Sequence, residues 1–218
     1  MSVAAKICGL QDTVALNAAV EGGAHYVGFV FCPTSRHVVT AEVAAALIAH
    51  VPPSVTAVGL FVDPTDADLQ AVLAHAPLGL VQLHGLETPE RVAAVRQQTG
   101  LPVMKVLHVS TPEDVTRAKA YESIADLLLF DTKIGPLPTG GTGRRFDWSL
   151  MRGRSFARPW MLAGGLNAEN LAEAVHQTGA TIVDVSSGVE DGSGHKDPAR
   201  IRAFLDVAAC LPAGSQKS

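Results

Sequence analysis

Tyr26-Val27-Gly28-Phe29-Val30-Phe31 and Leu127-Leu128-Leu129-Phe130 are apolar almost without interruption. A strand with one wet face alternates polar and apolar residues, whereas a strand of a parallel sheet covered on both faces reads as a continuous run. The same signature recurs at residues 3–8, 56–62, 80–84, 103–109, 160–163 and 181–185, and with residues 26–31 and 126–131 it makes eight runs. Ala-rich amphipathic stretches separate them. Thr88-Pro89, Thr111-Pro112 and Asp197-Pro198 read as helix N-caps followed by proline at the first helical position, and Gly22, Gly100 and Gly179 stand where a helix-terminating glycine belongs. Eight strand–helix repeats predict an α/β fold, a single-domain (β/α)8 TIM barrel over residues 1–210, because each parallel strand needs a crossover and eight close the sheet without edges. An open doubly wound sheet is the alternative. Residues 211–218 are small and polar and are expected to fray.

The composition narrows the function. Hydrophobic residues make up 47% of the 218 positions against 17% charged, which supports a large core and excludes disorder over most of the chain. No run approaches the roughly 20 apolar residues of a membrane span, and the first residues lack the pattern of a signal peptide, so a soluble, cytoplasmic protein is expected. Seventeen basic and 21 acidic residues give a formal charge of −4, with no basic run longer than Arg144-Arg145, which argues against a nucleic-acid partner. Cys8, Cys32 and Cys210 are too few and too scattered for a disulfide framework or a zinc knuckle.

In such a barrel the chemistry gathers at the C-terminal strand ends. Gly140-Gly141-Thr142-Gly143, Gly164-Gly165-Leu166-Asn167 and Ser186-Ser187-Gly188 follow neighbouring strands and suit a phosphate cup, since glycine lets backbone N–H groups approach an anion closely. Asp131 ends the sixth run. There it can serve as a general acid, its pKa raised by desolvation, or it can pair with Lys133, which would lower it. Cys8 ends the first run, where a thiol is either a small buried hydrophobe or a general base. Arg36, in the loop after the second run, suits bidentate recognition of a carboxylate or phosphate, which its neighbour His37 does less well. His84 and His108 also end strands, and with Asp63 or Asp184 they raise the question of a metal. No His-x-x-x-His or Cys-x-x-Cys spacing accompanies them, so no metal is expected.

Taken in order, Lys6-Ile7-Cys8-Gly9, Val81-Gln82-Leu83-His84-Gly85, Asp131 with Gly140-Gly141-Thr142-Gly143 and Phe146-Asp147-Trp148, Gly164-Gly165-Leu166-Asn167 with Asn170, and residues 183–190 resemble the phosphoribosylanthranilate isomerases of tryptophan biosynthesis. The resemblance runs from residue 6 to about Asp197 and includes Lys196. It implies an Amadori rearrangement of a phosphorylated sugar–anthranilate substrate without a cofactor. It also implies Cys8 as general base, Asp131 as general acid, and His84, Gly141, Gly143, Gly164, Gly165, Ser187 and Gly188 as substrate-binding residues. The family's carboxylate-binding arginine stands in a Ser-Pro-Arg context. Ser35-Arg36-His37 lacks the proline, and an ungapped match sets His37 at the arginine position, while the chemistry favours Arg36. The implied working unit is a monomer or homodimer. Two other readings share the barrel: a metal-dependent sugar-phosphate epimerase using His84 and His108, and a phosphate-sensing barrel with no use for an acid and a base.

Overall fold

The computed structural model describes residues 2–132 and 146–213. Eight parallel strands, β1 (Ala4–Cys8), β2 (Tyr26–Val30), β3 (Thr56–Phe61), β4 (Leu80–Leu83), β5 (Val103–Val109), β6 (Leu127–Thr132), β7 (Trp160–Leu162) and β8 (Ile182–Val185), pair in chain order. Pairing of β1 with β8 closes the ring, Lys6 lying opposite Asp184 and Ile7 opposite Val185. The helices outside are α1 (Thr13–Glu21), α2 (Ala41–Ile48), α3 (Asp66–Leu73), α4 (Pro89–Thr99), α5 (Pro112–Thr116), α6 (Leu171–Thr178) and α7 (Pro198–Cys210). Among the described residues the sixth crossover departs from the expected eight strand–helix repeats. It holds only a 3-10 turn, Trp148–Met151, which ends before Gly153 at φ 68° and a run to Pro159 that cannot continue a helix. No helix among the described residues is long and apolar enough to cross a membrane.

Strand side chains alternate between two cores. Ile7, Val27, Phe29, Leu83, Leu128, Phe130 and Leu162 face outward and pack with Leu16, Leu69, Val92, Leu171 and Phe204 of the helices. Val58, Leu80, Met104, Val106, Leu127, Leu129, Met161 and Ala163 fill the barrel itself. Both faces of every strand are thus covered, which is why the runs carry no alternation. The caps follow the local sequence: Thr88 accepts from Arg91 N, Thr111 forms a capping box with Asp114, and Asp197 accepts from Ala199 N. Gly100 and Gly179 end α4 and α6 in the left-handed conformation at φ 66° and 72°. At α1 the stop is displaced: Gly22 stays right-handed at φ −74°, and Gly23, at φ 85°, makes the turn. Beyond α7, Leu211 accepts from Val3 N at 3.1 Å and Pro212 bridges Ser2, so the start of the expected tail is tied to the chain's beginning. Phe204 is fully buried where α7 packs on the barrel. Phe204→Ala is expected to destabilise the protein by about 3–5 kcal/mol, read as a lower urea midpoint at unchanged slope.

Candidate active site

The strand ends converge on a cavity of about 340 Å³ lined by Cys8, Cys32, Arg36, His37, Gln82, His84, Asp131, Asp184 and Ser186. The two groups proposed for proton transfer therefore share one space, one from β1 and the other from β6. Asp131 is held by the Thr132 backbone N–H at 2.7 Å. Burial pushes its carboxyl up to about 7; the Asp184 charge adds to the rise, while the Thr132 N–H and the Lys6 charge oppose it. Of the two directions open from sequence, the desolvated one holds. Lys133, its other suggested partner, lies outside the described residues.

Cys8 is buried beside Gly28, its β2 partner in the register. Burial pushes the thiol up, the Lys6 ammonium pulls it back down and Asp184 pushes it up again. Lys6 is fully buried and donates to Asp184 Oδ1 at 2.8 Å. Gln82 Nε2 lies 3.2 Å from His84 Nδ1. A neutral ring accepting there carries its proton on Nε2, which faces Asp131 Oδ2 at 3.6 Å, beyond hydrogen-bond reach. Burial holds His84 well below the usual imidazole range, so this is no ion pair at neutral pH. His108 Nε2 lies 3.0 Å from His84 O, and the two rings meet edge to face. Donor atoms of His84, His108 and Asp131 lie within 4.8 Å of one another, a grouping drawn from three strands that sequence spacing does not reveal. Asp63, weighed with the histidines on sequence grounds, instead accepts from Leu86 N at 2.8 Å and takes a positive φ of 45° to do so.

Two further buried ion pairs brace the rim. Lys105 Nζ donates to Glu87 Oε2 at 2.5 Å and Gly85 O at 2.8 Å, while Glu87 Oε1 accepts from Asp63 N and Gly85 N, joining the loops after β3 and β4. Glu190 receives Lys196 at 3.0 Å and also Arg36, with His37 Nε2 2.9 Å from its Oε1; Lys196 reaches Ser186 O at 2.9 Å. Glu190 thereby ties the loop after β2 to the loop after β8. His37 is buried, and that burial, reinforced by the Lys196 charge, depresses its pKa, whereas the Arg36 side chain stays 54% exposed. Of the expected phosphate cup, Gly141 and Gly143 lie outside the described residues. Gly164 and Gly165 are left-handed at φ 88° and 67°, and Asn170 braces their loop by donating to Gly165 O at 2.8 Å. A Cβ at Gly188 would lie 1.8 Å from Leu166 O, so the loops after β7 and β8 touch backbone to backbone beside Ser187. Sequence reasoning did not give Lys6, Gln82, Glu190 and Lys196 roles in the site. The available signal was a lysine two residues before Cys8, on the same face of an otherwise apolar strand.

A closed parallel barrel whose mouth gathers a thiol, a carboxyl acid and glycine loops has the plan of a (β/α)8-barrel enzyme. Residues 5–207 match the family model of N-(5'-phosphoribosyl)anthranilate (PRA) isomerase, and the chain belongs to that family. It is 58% identical over 215 residues to the N-(5'-phosphoribosyl)anthranilate isomerase of Rhodospirillum centenum, covering 97% of this chain and all of that protein. Monomers of the dimeric phosphoribosylanthranilate isomerase from Thermotoga maritima superpose with a TM-score of 0.82 at 37% identity, over 96% of this chain and all of theirs. A phosphoribosyl anthranilate isomerase in complex with reduced 1-(o-carboxyphenylamino)-1-deoxyribulose 5-phosphate does so at 0.81 and 35%, with the same coverage.

The raised Asp131 carboxyl links the site to stability. An unfolded aspartate binds its proton near 3.8 and the folded one near 7. Stability from that proton is full below 3.8 and is lost as pH rises through about 7. Asp131→Asn is therefore expected to gain more stability relative to wild type at pH 8 than at pH 5, measured by urea unfolding at both.

Proposed function

We propose that the protein carries out an Amadori rearrangement of N-(5-phosphoribosyl)anthranilate to 1-(2-carboxyphenylamino)-1-deoxyribulose 5-phosphate, with Cys8 as general base and Asp131 as general acid. The observation that carries the reading is one cavity holding a carboxyl protonated near neutrality and a thiol. Protonated Asp131 donates to the ribose ring oxygen, the bond from that oxygen to C1 breaks, and a protonated Schiff base forms. Cys8 thiolate then removes the C2 proton. The electron pair flows to the iminium nitrogen, giving an enolamine, which becomes the aminoketone as C1 takes a proton and the 2-hydroxyl loses one. The iminium is itself the electron sink, so the chemistry calls for neither a metal nor an organic cofactor. Gly164, Gly165, Ser187 and Gly188 bind the phosphate through backbone N–H groups. His84, neutral and lining the cavity beside Asp131, binds the ribose.

The reactive form pairs protonated Asp131 with ionised Cys8, although the acid titrates near 7 and burial holds the thiol above its ordinary range. Below about 7, raising the pH increases thiolate without depleting the acid. Between the two pKa values each gain in thiolate is matched by a loss of acid. In wild type, kcat/KM is expected to climb to about pH 7 and then run level until the thiol titrates. Asp131→Asn should abolish that break, and both Asp131→Asn and Cys8→Ser should lower kcat by about 100-fold or more with the fold intact. A fluorescence assay following loss of N-(5-phosphoribosyl)anthranilate measures all three. Near-wild-type turnover in either variant overturns the assignment, and activity lost to a chelator would favour metal chemistry at His84, His108 and Asp131.

Arg36 binds the anthranilate carboxylate. Its exposed guanidinium lines the cavity, whereas His37 is buried and uncharged at neutral pH. Glu190 holds Arg36 in place, and the planar fork retains donors for a second carboxylate. Arg36→Ala is expected to weaken binding of a product analogue by about 1.5–3 kcal/mol, the range for a hydrogen bond to a charged group. Calorimetric titration of both alanine variants checks this; a larger loss in His37→Ala would transfer the role to His37.

A further inference from the structure

Among the described residues, the apolar filling of the barrel gives way to a buried ion pair below the catalytic groups. Lys6 points inward from β1, is fully buried and has Asp184 of β8 as its partner at 2.8 Å. A Cβ on Gly28 of β2 would lie 2.9 Å from Cys8 Sγ and 3.2 Å from Lys6 Nζ, so thiol and ammonium crowd the same space above one glycine. Such a buried pair is a poor stabilising device, because desolvation offsets most of the attraction and apolar residues of similar volume often serve as well or better. The reaction proposed above gives the lysine no proton to carry and no substrate atom to touch.

We infer that Lys6 is a positioning residue for the isomerisation: its ammonium, anchored by Asp184, holds the Cys8 sulfur in place and stabilises it as the thiolate. The inference rests on Cys8 being the general base. The charges facing Cys8 are Lys6 from β1, Asp184 from β8, Lys196 from the loop after β8 and, across the mouth, Asp131; the His37 ring packs on Gly9 next to it. Of these, the Lys6 charge acts on the thiol most strongly, ahead of Asp184 and Lys196. Because the reactive form needs a thiolate in an apolar environment that disfavours it, a fixed cation beneath the sulfur raises the reactive fraction at every pH below the thiol's own titration. Asp184 has a double effect. It keeps Lys6 charged and aimed, and it favours the protonated form of Asp131.

The test reads the thiol without substrate. Alkylation of Cys8 by iodoacetamide is followed by mass spectrometry of its peptide from pH 7 to 11 in wild type and Lys6→Met. The rate at pH 8 is expected to fall about threefold or more and the midpoint to rise by about one pH unit or more; the loss of thiolate is partly offset by the greater nucleophilicity of a more basic sulfur. A merely structural change would scale the rate equally at each pH and leave the midpoint alone. Should Lys6→Met not fold, Lys6→Met with Asp184→Asn removes both buried charges and should still raise the midpoint, because the lysine acts more strongly on the thiol than the aspartate. A folded variant of either kind whose Cys8 titrates as in wild type overturns the inference. If Cys8→Ser keeps its turnover, the base assignment falls instead, while the alkylation profile still decides whether Lys6 governs the thiol.

Discussion

Closure of the barrel between β1 and β8 is the constraint on which the rest depends. It sets Lys6 opposite Asp184 across a seam joining residues that are 178 positions apart. Once the seam is made, the inward face of β1 carries Lys6 and then Cys8, and that of β8 carries Asp184 and then Ser186. The polar mouth is therefore stacked on a single buried ion pair above an apolar barrel core. An open sheet would leave those edges apart and the lysine without its counter-charge, at the full desolvation penalty of a buried cation.

The same solution recurs around the rim. Lys105 with Glu87, and Lys196 with Glu190, are buried lysine–carboxylate pairs whose remaining donors and acceptors go to loop backbone. Each carboxylate holds two loops in fixed relation. A fixed rim lets a half-exposed Arg36 and a buried His37 face one cavity with distinct charge states. The glycines complete the scaffold by permitting close approach. Gly28 leaves room for a thiol and an ammonium at once, and Gly188 lets two loops meet backbone to backbone.

The environment also separates the acid from the base in an unusual order. Asp131 loses its proton near 7, and the thiol stays protonated to higher pH, so the reactive pair is the less populated arrangement of the two protons. This arrangement suits an iminium intermediate that acidifies its neighbouring carbon strongly. It also makes any nearby charge that favours thiolate valuable for the rate, which gives physical sense to a lysine at the bottom of the site.

Much of this was legible in the chain. The near-continuous apolar runs determine buried parallel strands, the Thr-Pro and Asp-Pro pairs determine three helix starts, and Cys8 and Asp131 at strand ends mark the mouth, because each rests on local propensity or on the period of a single element. Among the described residues, the sixth crossover, with its single short turn, escaped that reading, as did the left-handed turn displaced from Gly22 to Gly23. The environment of the charges was also beyond its reach. Glu190 and Lys196 look like ordinary charged residues along the sequence, Lys6 stands out only as a charge in an apolar strand, and only the closed ring buries all three against their partners. The direction in which Asp131 shifts, the division of roles between Arg36 and His37, and the convergence of His84 with His108 depend on burial and on distances between strands. Those quantities exist only after the barrel has closed, so the chain by itself determined which groups reach the mouth, and the tertiary structure decided their charge.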